Sequence, residues 1–193
     1  MTEAYIYDAL RTPRGKGRKD GSLHEVTALR LSAVTLNALK ERNNLGGHAV
    51  EDVIWGNVTQ VMEQGGCLAR SAVLASDLDQ SIPGLAINRF CASGMEAVNA
   101  AARAIRSDEG SFFIAGGSES MSRAPFVMAK SETAFARTAE VFDTTIGWRF
   151  VNPKMESQYG SDSMPVTGEN VAEKYQVRRE DQDKFAFNSQ RKA

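Results

Sequence analysis

The sequence predicts a layered α/β fold, and two observations support this. Short runs with strand character are separated by segments whose apolar residues recur every three or four positions, as on one face of a helix. Glycine and proline mark the boundaries between the two kinds of segment. Apolar residues make up 42% of the 193 positions, which is enough to bury one sizeable core. Alternation of strands and helices around one core is typical of layered α/β domains.

The first predicted elements follow from the amino terminus. Ala4–Leu10 alternates and is rich in tyrosine and isoleucine, which predicts a strand ending before Pro13. Apolar spacing predicts a helix from Glu25 to Arg42. The residues that follow are typical of a helix end: Asn43, Asn44, Leu45, Gly46 and Gly47.

The central part of the chain continues the alternation of strands and helices. We expect a second strand at Asp52–Val58 and a third at Gly84–Ile87. A helix follows the glycine pair at 65–66, and another, from about Ala97, carries apolar residues at helical spacing. A strand at Phe112–Ala115 is expected to end in a close turn at 116–117, where two glycines permit unusual backbone angles.

The last third of the chain has a different character. Met128–Tyr159 is polar and irregular, which predicts a long loop that is functional or part of an interface. Its aromatic side chains are covered by another chain or by a further part of the protein, or else pack on their own domain. Thr167 is the expected N-cap of a helix at Glu169–Tyr175. A final helix follows Arg178, a cation placed unfavourably beside a helix start.

Composition excludes several classes of function. The net charge of −1 gives no reason to expect a nucleic-acid partner or an anionic membrane surface. No run of eighteen apolar residues suggests a membrane span, and the amino terminus shows no signal-peptide pattern. The two cysteines, Cys67 and Cys91, form neither a disulfide framework nor a metal-binding pattern. Reduced thiols fit a cytoplasmic protein.

Cys91 is the strongest candidate for chemistry. It lies where the third predicted strand gives way to a helix, and small residues follow it. Amide groups and the helix dipole favour a thiolate at such a position, and the thiolate is the nucleophilic form. The pattern therefore suggests covalent catalysis by a cysteine. The alternative is a small buried hydrophobic residue without a catalytic role.

The segment Asn88–Val98 resembles the acyl-binding cysteine motif of the thiolases, which transfer acyl groups between coenzyme A thioesters. Further stretches that resemble this family follow in the expected order: Asp8–Leu23, Ala115–Met128, Asp162–Tyr175 and Arg179–Ala193. Asp143–Met155 is particularly similar to thiolases that cleave 3-oxoadipyl-CoA or related 3-ketoacyl-CoA. The resemblance thus extends over nearly the whole chain.

The resemblance implies a thiolase-like α/β/α fold, comprising the amino-terminal half of the family and part of its loop region. It implies a core at 1–122, a loop region over the active site and subunit interface at 123–167, and helices at 168–193 that lead to the remainder. Family members are about twice as long and take a Gly-His-Pro histidine and a second cysteine from their other half. Neither motif occurs here, so we expect this chain alone to be inactive.

The resemblance also implies roles for particular residues. Cys91 would carry the acyl group as a thioester, while Ser163 and Met164 would line the channel for the acyl and pantetheine groups; plain loop packing is the alternative for that pair. Coenzyme A is expected as co-substrate, with no other cofactor and no metal. The expected partners are acyl-CoA, coenzyme A and further copies in a homodimer or homotetramer, in fatty acid metabolism.

Four other features of the sequence are candidates for a functional role. The basic loop Arg14–Gly21 is either a solvated turn or a contact with coenzyme A phosphates or a neighbouring subunit. His24 and His48 are read as surface histidines, because neither matches the thiolase motif. Cys67 is expected to be structural. The polar pair at 119–120 is expected to hold loops together rather than to take part in chemistry.

Two rival functions remain open from sequence. One is a ketoacyl-carrier-protein synthase, because such enzymes also place a cysteine before a helix. The other is a non-catalytic truncated paralogue that serves as an interaction subunit. The segments around Cys91 and after Ala115 resemble thiolases more closely than synthases.

Overall fold

The computed structural model describes residues 2–46 and 50–192. Its regular elements, in chain order, are α1 (Ala28–Asn43), β1 (Asp52–Gly56), α2 (Leu68–Leu74), β2 (Gly84–Ile87), α3 (Ser93–Arg106), β3 (Phe113–Gly117), β4 (Phe126–Met128), β5 (Val141–Asp143), α4 (Pro153–Tyr159), α5 (Met164–Lys174) and α6 (Arg179–Lys192). The chain divides into two compact units, one with Met1–Met128 and Ala139–Thr145, the other with Ala129–Thr138 and Ile146–Ala193.

A three-stranded parallel sheet forms the centre of the first unit. The strand order is β2-β1-β3, with Val53 paired to Gly84 on one side and to Ile114 on the other. The central strand β1 is buried from Val53 to Gly56. Parallel strands covered on both faces read as continuous apolar runs, which explains why the segment Val53–Trp55 does not alternate with polar residues.

Helices cover both faces of this sheet. Val53 and Trp55 pack with α1 and α2 in one core cluster, whereas Ile54 packs with α3 in a second. Successive side chains of a strand point to opposite faces, so the helices lie in two layers on either side of the strands. The predicted layered α/β/α architecture is confirmed.

The helix predicted from Glu25 begins three residues later. Thr27 Oγ1 accepts a hydrogen bond from the backbone N–H of Arg30 at 3.1 Å and so caps α1. The predicted end is confirmed, because Asn44 adopts the left-handed conformation with φ of 48°. Gly47 and His48 lie outside the described residues.

The predicted strand Ala4–Leu10 is wrong, since none of its residues belongs to a sheet among the described parts of the chain. The side chain of Tyr7 is mostly exposed and its ring contacts Phe112 with centroids 6.4 Å apart. Asp8 anchors the segment to the end of α1 through Asn43 and Arg42, at 2.9 and 3.0 Å. Alternation shows that a segment is suited to a strand, but a strand forms only against a neighbouring backbone.

The glycine pair at 116–117 does not form the predicted turn. Both residues belong to β3. A Cβ on Gly116 would lie 2.7 Å from the indole ring of Trp55, and one on Gly117 would lie 2.6 Å from the carbonyl oxygen of Gly56. These glycines therefore permit close packing within the sheet rather than unusual backbone angles.

The segment predicted to be an irregular loop, Met128–Tyr159, contains regular structure. β4 and β5 pair antiparallel in the first unit, with Val127 opposite Phe142. Asn152 caps α4, because its Oδ1 accepts hydrogen bonds from the backbone N–H groups of Lys154 and Met155 at 2.9 and 3.3 Å. Phe135 is 98% exposed, so this aromatic side chain does not pack on its own domain.

Helix α5 begins five residues before the predicted start at Glu169. Thr167 lies inside the helix, where its backbone N–H and its hydroxyl both donate to the carbonyl oxygen of Ser163. The prediction that Thr167 is the N-cap is therefore wrong. Pro165 fits the first turn because the missing N–H has no helical partner there.

Arg178 lies immediately before α6, as predicted. Its carbonyl oxygen accepts from the amides of Asp181 and Gln182 at 3.1 and 3.2 Å. Its guanidinium also lies 3.4 Å from the carboxylate of Asp181. This exposed ion pair offsets part of the unfavourable placement of a cation at a helix start.

Candidate active site

Cys91 lies on a five-residue connection between two elements of the first unit. β2 ends at Ile87 and α3 begins at Ser93. Cys91 is an exposed residue, and its thiol is free. The predicted position at a strand-to-helix junction is confirmed.

Two polar side chains hold this connection. Asn88 Oδ1 accepts from the amide of Phe90 at 2.9 Å, and its amide group donates to the carbonyl of Val58 at 3.3 Å. Ser93 is 5% exposed. Its hydroxyl oxygen accepts from the amide of Arg89 at 2.8 Å and donates to the carbonyl of Phe90 at 2.6 Å. The backbone before Cys91 is thereby fastened to both neighbouring segments.

Phe90 has a strained backbone. Its φ of 47° lies in the left-handed region, which a bulky residue enters at a cost of about 1 kcal/mol or more. The ring is 67% exposed, so apolar burial does not offset this cost. The strain persists because the hydrogen bonds of Asn88 and Ser93 fix the residues on both sides.

Gly56 lets the central strand approach the start of α3. A Cβ at Gly56 would lie 2.7 Å from both the amide nitrogen of Gly94 and the carbonyl carbon of Ser93. Real Cβ atoms essentially never come within 3.0 Å of atoms outside their own and the adjacent residues. The first turn of α3, which begins two residues after Cys91, is therefore packed against the end of β1, backbone against backbone.

A buried carboxylate lies in the first turn of α3. The side chain of Glu96 is 8% exposed and makes ion pairs with Arg103 at 2.5 Å and Arg89 at 3.2 Å. The hydrogen bond from Arg103, together with the charges of both guanidinium groups, holds the pKa of Glu96 below its ordinary value despite burial. An anion near a helix start is also favoured by the helix dipole.

The loop after β3 is hydrogen-bonded to the segment that follows β1. The carboxylate of Glu119 accepts from the amides of Val58 and Thr59 at 2.8 and 3.0 Å. The amide of Ser120 donates to the side-chain oxygen of Gln64 at 2.8 Å. These contacts agree with the prediction that the polar pair at 119–120 holds loops together.

Sequence reasoning missed a polar cluster around the indole N–H of Trp55 in β1. The indole N–H of Trp55 lies 3.1 and 3.2 Å from the hydroxyl oxygens of Ser32 and Ser118, which are 2.6 Å apart. Ser32 also donates to the carbonyl of Ala28 at 2.8 Å. A signal existed in the sequence, because a tryptophan in a buried strand needs an acceptor for its N–H.

Ser163 and Met164 lie in the second unit, whereas Cys91 lies in the first. Ser163 immediately precedes α5, and its carbonyl oxygen accepts the amide of Thr167 at 2.8 Å. The side chain of Met164 is 70% exposed. The predicted role of this pair in lining a substrate channel stays a prediction.

The remaining candidates have local contacts. His24 Nδ1 lies 2.9 Å from the carboxylate of Glu25, and its side chain is 38% exposed, which fits a surface histidine. Cys67 is half-buried and its thiol donates to the carbonyl of Gly84 at 3.3 Å, which fits a structural role. Within residues 2–46 and 50–192, no group of three or more His, Cys, Asp and Glu side chains is arranged to hold a metal ion.

A cleft of about 1140 Å³ lies between the amino-terminal segment 3–17, α3 and β3. Cys91 is not among the residues that line it, whereas Glu119 and Ser120 are. In the described part of the chain, no helix has the length and apolar character needed to cross a membrane.

Comparison with known proteins agrees with this fold. Residues 4–193 match the family described as thiolase, N-terminal domain, and the chain belongs to that family. It is 53% identical over 193 residues to the 3-oxoadipyl-CoA/3-oxo-5,6-dehydrosuberyl-CoA thiolase of Escherichia coli, covering all of this chain and 48% of that protein. It is also 53% identical to the beta-ketoadipyl-CoA thiolase of Pseudomonas putida, with the same coverage.

A solved structure shows the same architecture. The acetyl-CoA acetyltransferase of Bacillus anthracis is 30% identical and superposes with a TM-score of 0.74 over 86% of this chain and 41% of that chain. The predicted thiolase-like fold is confirmed. The chain spans about half the length of the curated relatives it matches.

Proposed function

We propose that the protein transfers acyl groups between acyl-CoA and coenzyme A through an acyl-cysteine intermediate on Cys91. The observation that carries this proposal is an exposed free thiol on a tightly fastened strand-to-helix connection in a chain of the thiolase family. A nucleophile needs both access and a fixed position. Cys91 has both, whereas Cys67 is half-buried and bonded to a backbone carbonyl.

The proposed substrates are 3-ketoacyl-CoA thioesters, in particular those whose acyl chain ends in a carboxylate. Support comes from the relatives at 49–53% identity, whose names specify 3-oxoadipyl-CoA or beta-ketoadipyl-CoA. Asp143–Met155 carries the same resemblance at the level of the sequence.

The proposed degradative reaction has two acyl-transfer steps. The Cys91 thiolate attacks the ketone carbon, a sulfur–carbon bond forms, and the bond between that carbon and the neighbouring CH₂ breaks to release acetyl-CoA after protonation. The sulfur of coenzyme A then attacks the acyl-cysteine, gives up its proton, and returns the thiolate of Cys91. The net result moves the thiol proton of coenzyme A to the new methyl group. The reverse direction is the Claisen condensation.

Each step passes through an oxyanion that needs aligned hydrogen-bond donors. The backbone amide of Cys91, beside the start of α3, is our candidate for one of them. Ser163 and Met164 are proposed to line the channel for the acyl and pantetheine groups. Coenzyme A is a co-substrate in this scheme, which uses no metal and no further cofactor.

The proposal includes a homodimer or homotetramer in the cytoplasm. The exposed aromatic side chains at 135, 148 and 150 support a contact surface, because exposed aromatic patches mark contacts. The expectation that these 193 residues alone are inactive is a further prediction, which the same thiolysis assay would test when run on this chain by itself.

The test is thiolysis of 3-oxoadipyl-CoA by the protein as its gene encodes it, followed by mass spectrometry of the trapped acyl-enzyme. We expect turnover, with the acyl group on the peptide that contains Cys91. Cys91→Ser should abolish both turnover and adduct, and the matched change Cys67→Ser should preserve both. Turnover retained in Cys91→Ser would show that another residue carries the acyl group.

A further inference from the structure

Arg89 lies two residues before Cys91, and its backbone is fixed relative to that cysteine. Its amide donates to Ser93 Oγ at 2.8 Å, and its carbonyl oxygen accepts from the amide of Ala92 at 3.1 Å. Both partners lie beyond Cys91 in the chain. The backbone that carries the Arg89 side chain is therefore held in a fixed position relative to the backbone of Cys91.

The guanidinium of Arg89 is held by an ion pair and remains exposed to solvent. Its Nη1 lies 3.2 Å from Glu96 Oε2, and the side chain of Glu96 is 8% exposed whereas that of Arg89 is 67% exposed. An arginine carries five N–H donors in a rigid fork. The carboxylate of Glu96 holds one part of the fork, and the exposed part can bind a second anion.

Charge at this cluster is not balanced. The same carboxylate of Glu96 also accepts from Arg103 at 2.5 Å, so two guanidinium groups share one carboxylate. The three side chains together carry one net positive charge. A further carboxylate would neutralise it, and the geometry favours Arg89, which lies closer to Cys91 in the chain than Arg103 does.

The proposed substrates supply such a carboxylate. When 3-oxoadipyl-CoA acylates the cysteine, the acyl group ends in a carboxylate two methylene groups from the thioester carbon. Consecutive Cα atoms are 3.8 Å apart, so those of Arg89 and Cys91 lie within about 7.6 Å. This separation is short enough for the carboxylate of an acyl group on Cys91 to reach the Arg89 side chain.

We propose that Arg89 binds the terminal carboxylate of the acyl group on Cys91 and thereby selects dicarboxylic 3-ketoacyl-CoA substrates. This inference rests on the proposed function, since it needs Cys91 to be acylated. Arginine suits the role because its planar fork binds a carboxylate through two parallel hydrogen bonds. Glu96 acts as a positioning residue that fixes the orientation of the fork.

The experiment compares two substrates of equal carbon number on the protein as its gene encodes it. One is 3-oxoadipyl-CoA, and the other is 3-oxohexanoyl-CoA, which ends in a methyl group. We expect Arg89→Gln to lower kcat/KM for 3-oxoadipyl-CoA by about tenfold or more, the usual size of a charge-assisted hydrogen bond. The value for 3-oxohexanoyl-CoA should change less than about twofold on the same basis.

Two further variants keep the test decisive. Arg89→Lys retains the charge and should recover part of the preference for 3-oxoadipyl-CoA. Arg103→Gln removes a cation from the same carboxylate but further along α3, and should leave the ratio of the two kcat/KM values nearly unchanged. Thermal unfolding of each variant checks that it is folded.

An equal loss on both substrates, or an unchanged ratio in Arg89→Gln, would overturn the assignment of Arg89 while leaving the acyl-transfer function intact. A comparable shift of the ratio in Arg103→Gln would overturn it too. Failure of the proposed function is distinct from these outcomes: the unmodified protein would cleave neither substrate, or Cys91→Ser would remain active.

Discussion

Replacing Gly56 by alanine tests whether the end of β1 sets the position of the nucleophile. The new Cβ would lie 2.7 Å from the Gly94 nitrogen, 2.7 Å from the Ser93 carbonyl carbon and 2.9 Å from the Ser93 carbonyl oxygen. All three are backbone atoms, which cannot rotate away as the end of a flexible side chain can. Either the strand or the first turn of α3 must therefore move.

The expected cost follows from this contact. Overpacking a rigid site costs about 1–3 kcal/mol, whereas the higher strand propensity of alanine returns only about 0.5–1 kcal/mol. We expect Gly56→Ala to lower the free energy of unfolding by about 1 kcal/mol. With a urea m-value of about 2 kcal/mol/M, the unfolding midpoint would fall by about 0.5 M.

Urea unfolding and thiol labelling together measure the effect. Iodoacetamide with peptide mapping should show the rate at Cys91 changed relative to that at Cys67, because the displaced turn adjoins Cys91. Gly168 in α5 is a matched control, since an added Cβ there meets nothing within 4 Å. Gly168→Ala should stabilise the protein by up to about 1 kcal/mol. If Gly56→Ala is as stable as the unmodified protein and labels at the same rates, the close-packing argument fails.

Two other changes probe the surroundings of Cys91. Ser93→Ala removes the hydroxyl that bonds the amide of Arg89 and the carbonyl of Phe90, and should cost about 1–2 kcal/mol in urea unfolding; an effect no larger than that of Ser131→Ala in an exposed loop would contradict this. The pKa of Glu96 is lowered in the folded state, so the unfolded state binds more protons in acid. The resulting stabilisation is present above the ordinary pKa of 4.5 and is lost as the pH falls through the pKa of the folded state. Glu96→Gln should remove this acid-side slope from stability curves measured between neutral and acidic pH, and an unchanged slope would show that the carboxylate does not titrate as the structure indicates.

Features that depend on residues close together in sequence were predicted well. The junction at Cys91 is one example, because an apolar run ending at Asn88 and a helical spacing beginning near Ala97 bracket it. The end of α1 at Asn43 is another, since asparagine and glycine are typical of helix ends. The start of α5 was placed too late, because Thr167 is a plausible cap and Ser163, four residues earlier, is an equally good one.

Features that depend on distant residues were not predicted. Ala4–Leu10 has a strand pattern but no sheet neighbour in the described structure, and the glycine pair after Ala115 was read as a turn although Trp55 demands its small size. The cluster of Ser32, Trp55 and Ser118 joins residues up to 86 positions apart. Local periodicity carries no information about which partner approaches from elsewhere in the chain.

The sequence by itself determined the layered class, the family and the place of Cys91 between a strand and a helix. These follow from apolar spacing and from motifs, which act over a few residues. The tertiary structure decided which strands pair, why Gly56 has no side chain, and that Arg89 shares the buried carboxylate of Glu96 with Arg103. The physical reason is that hydrogen bonds, close contacts and ion pairs depend on distances in space, which the fold alone sets.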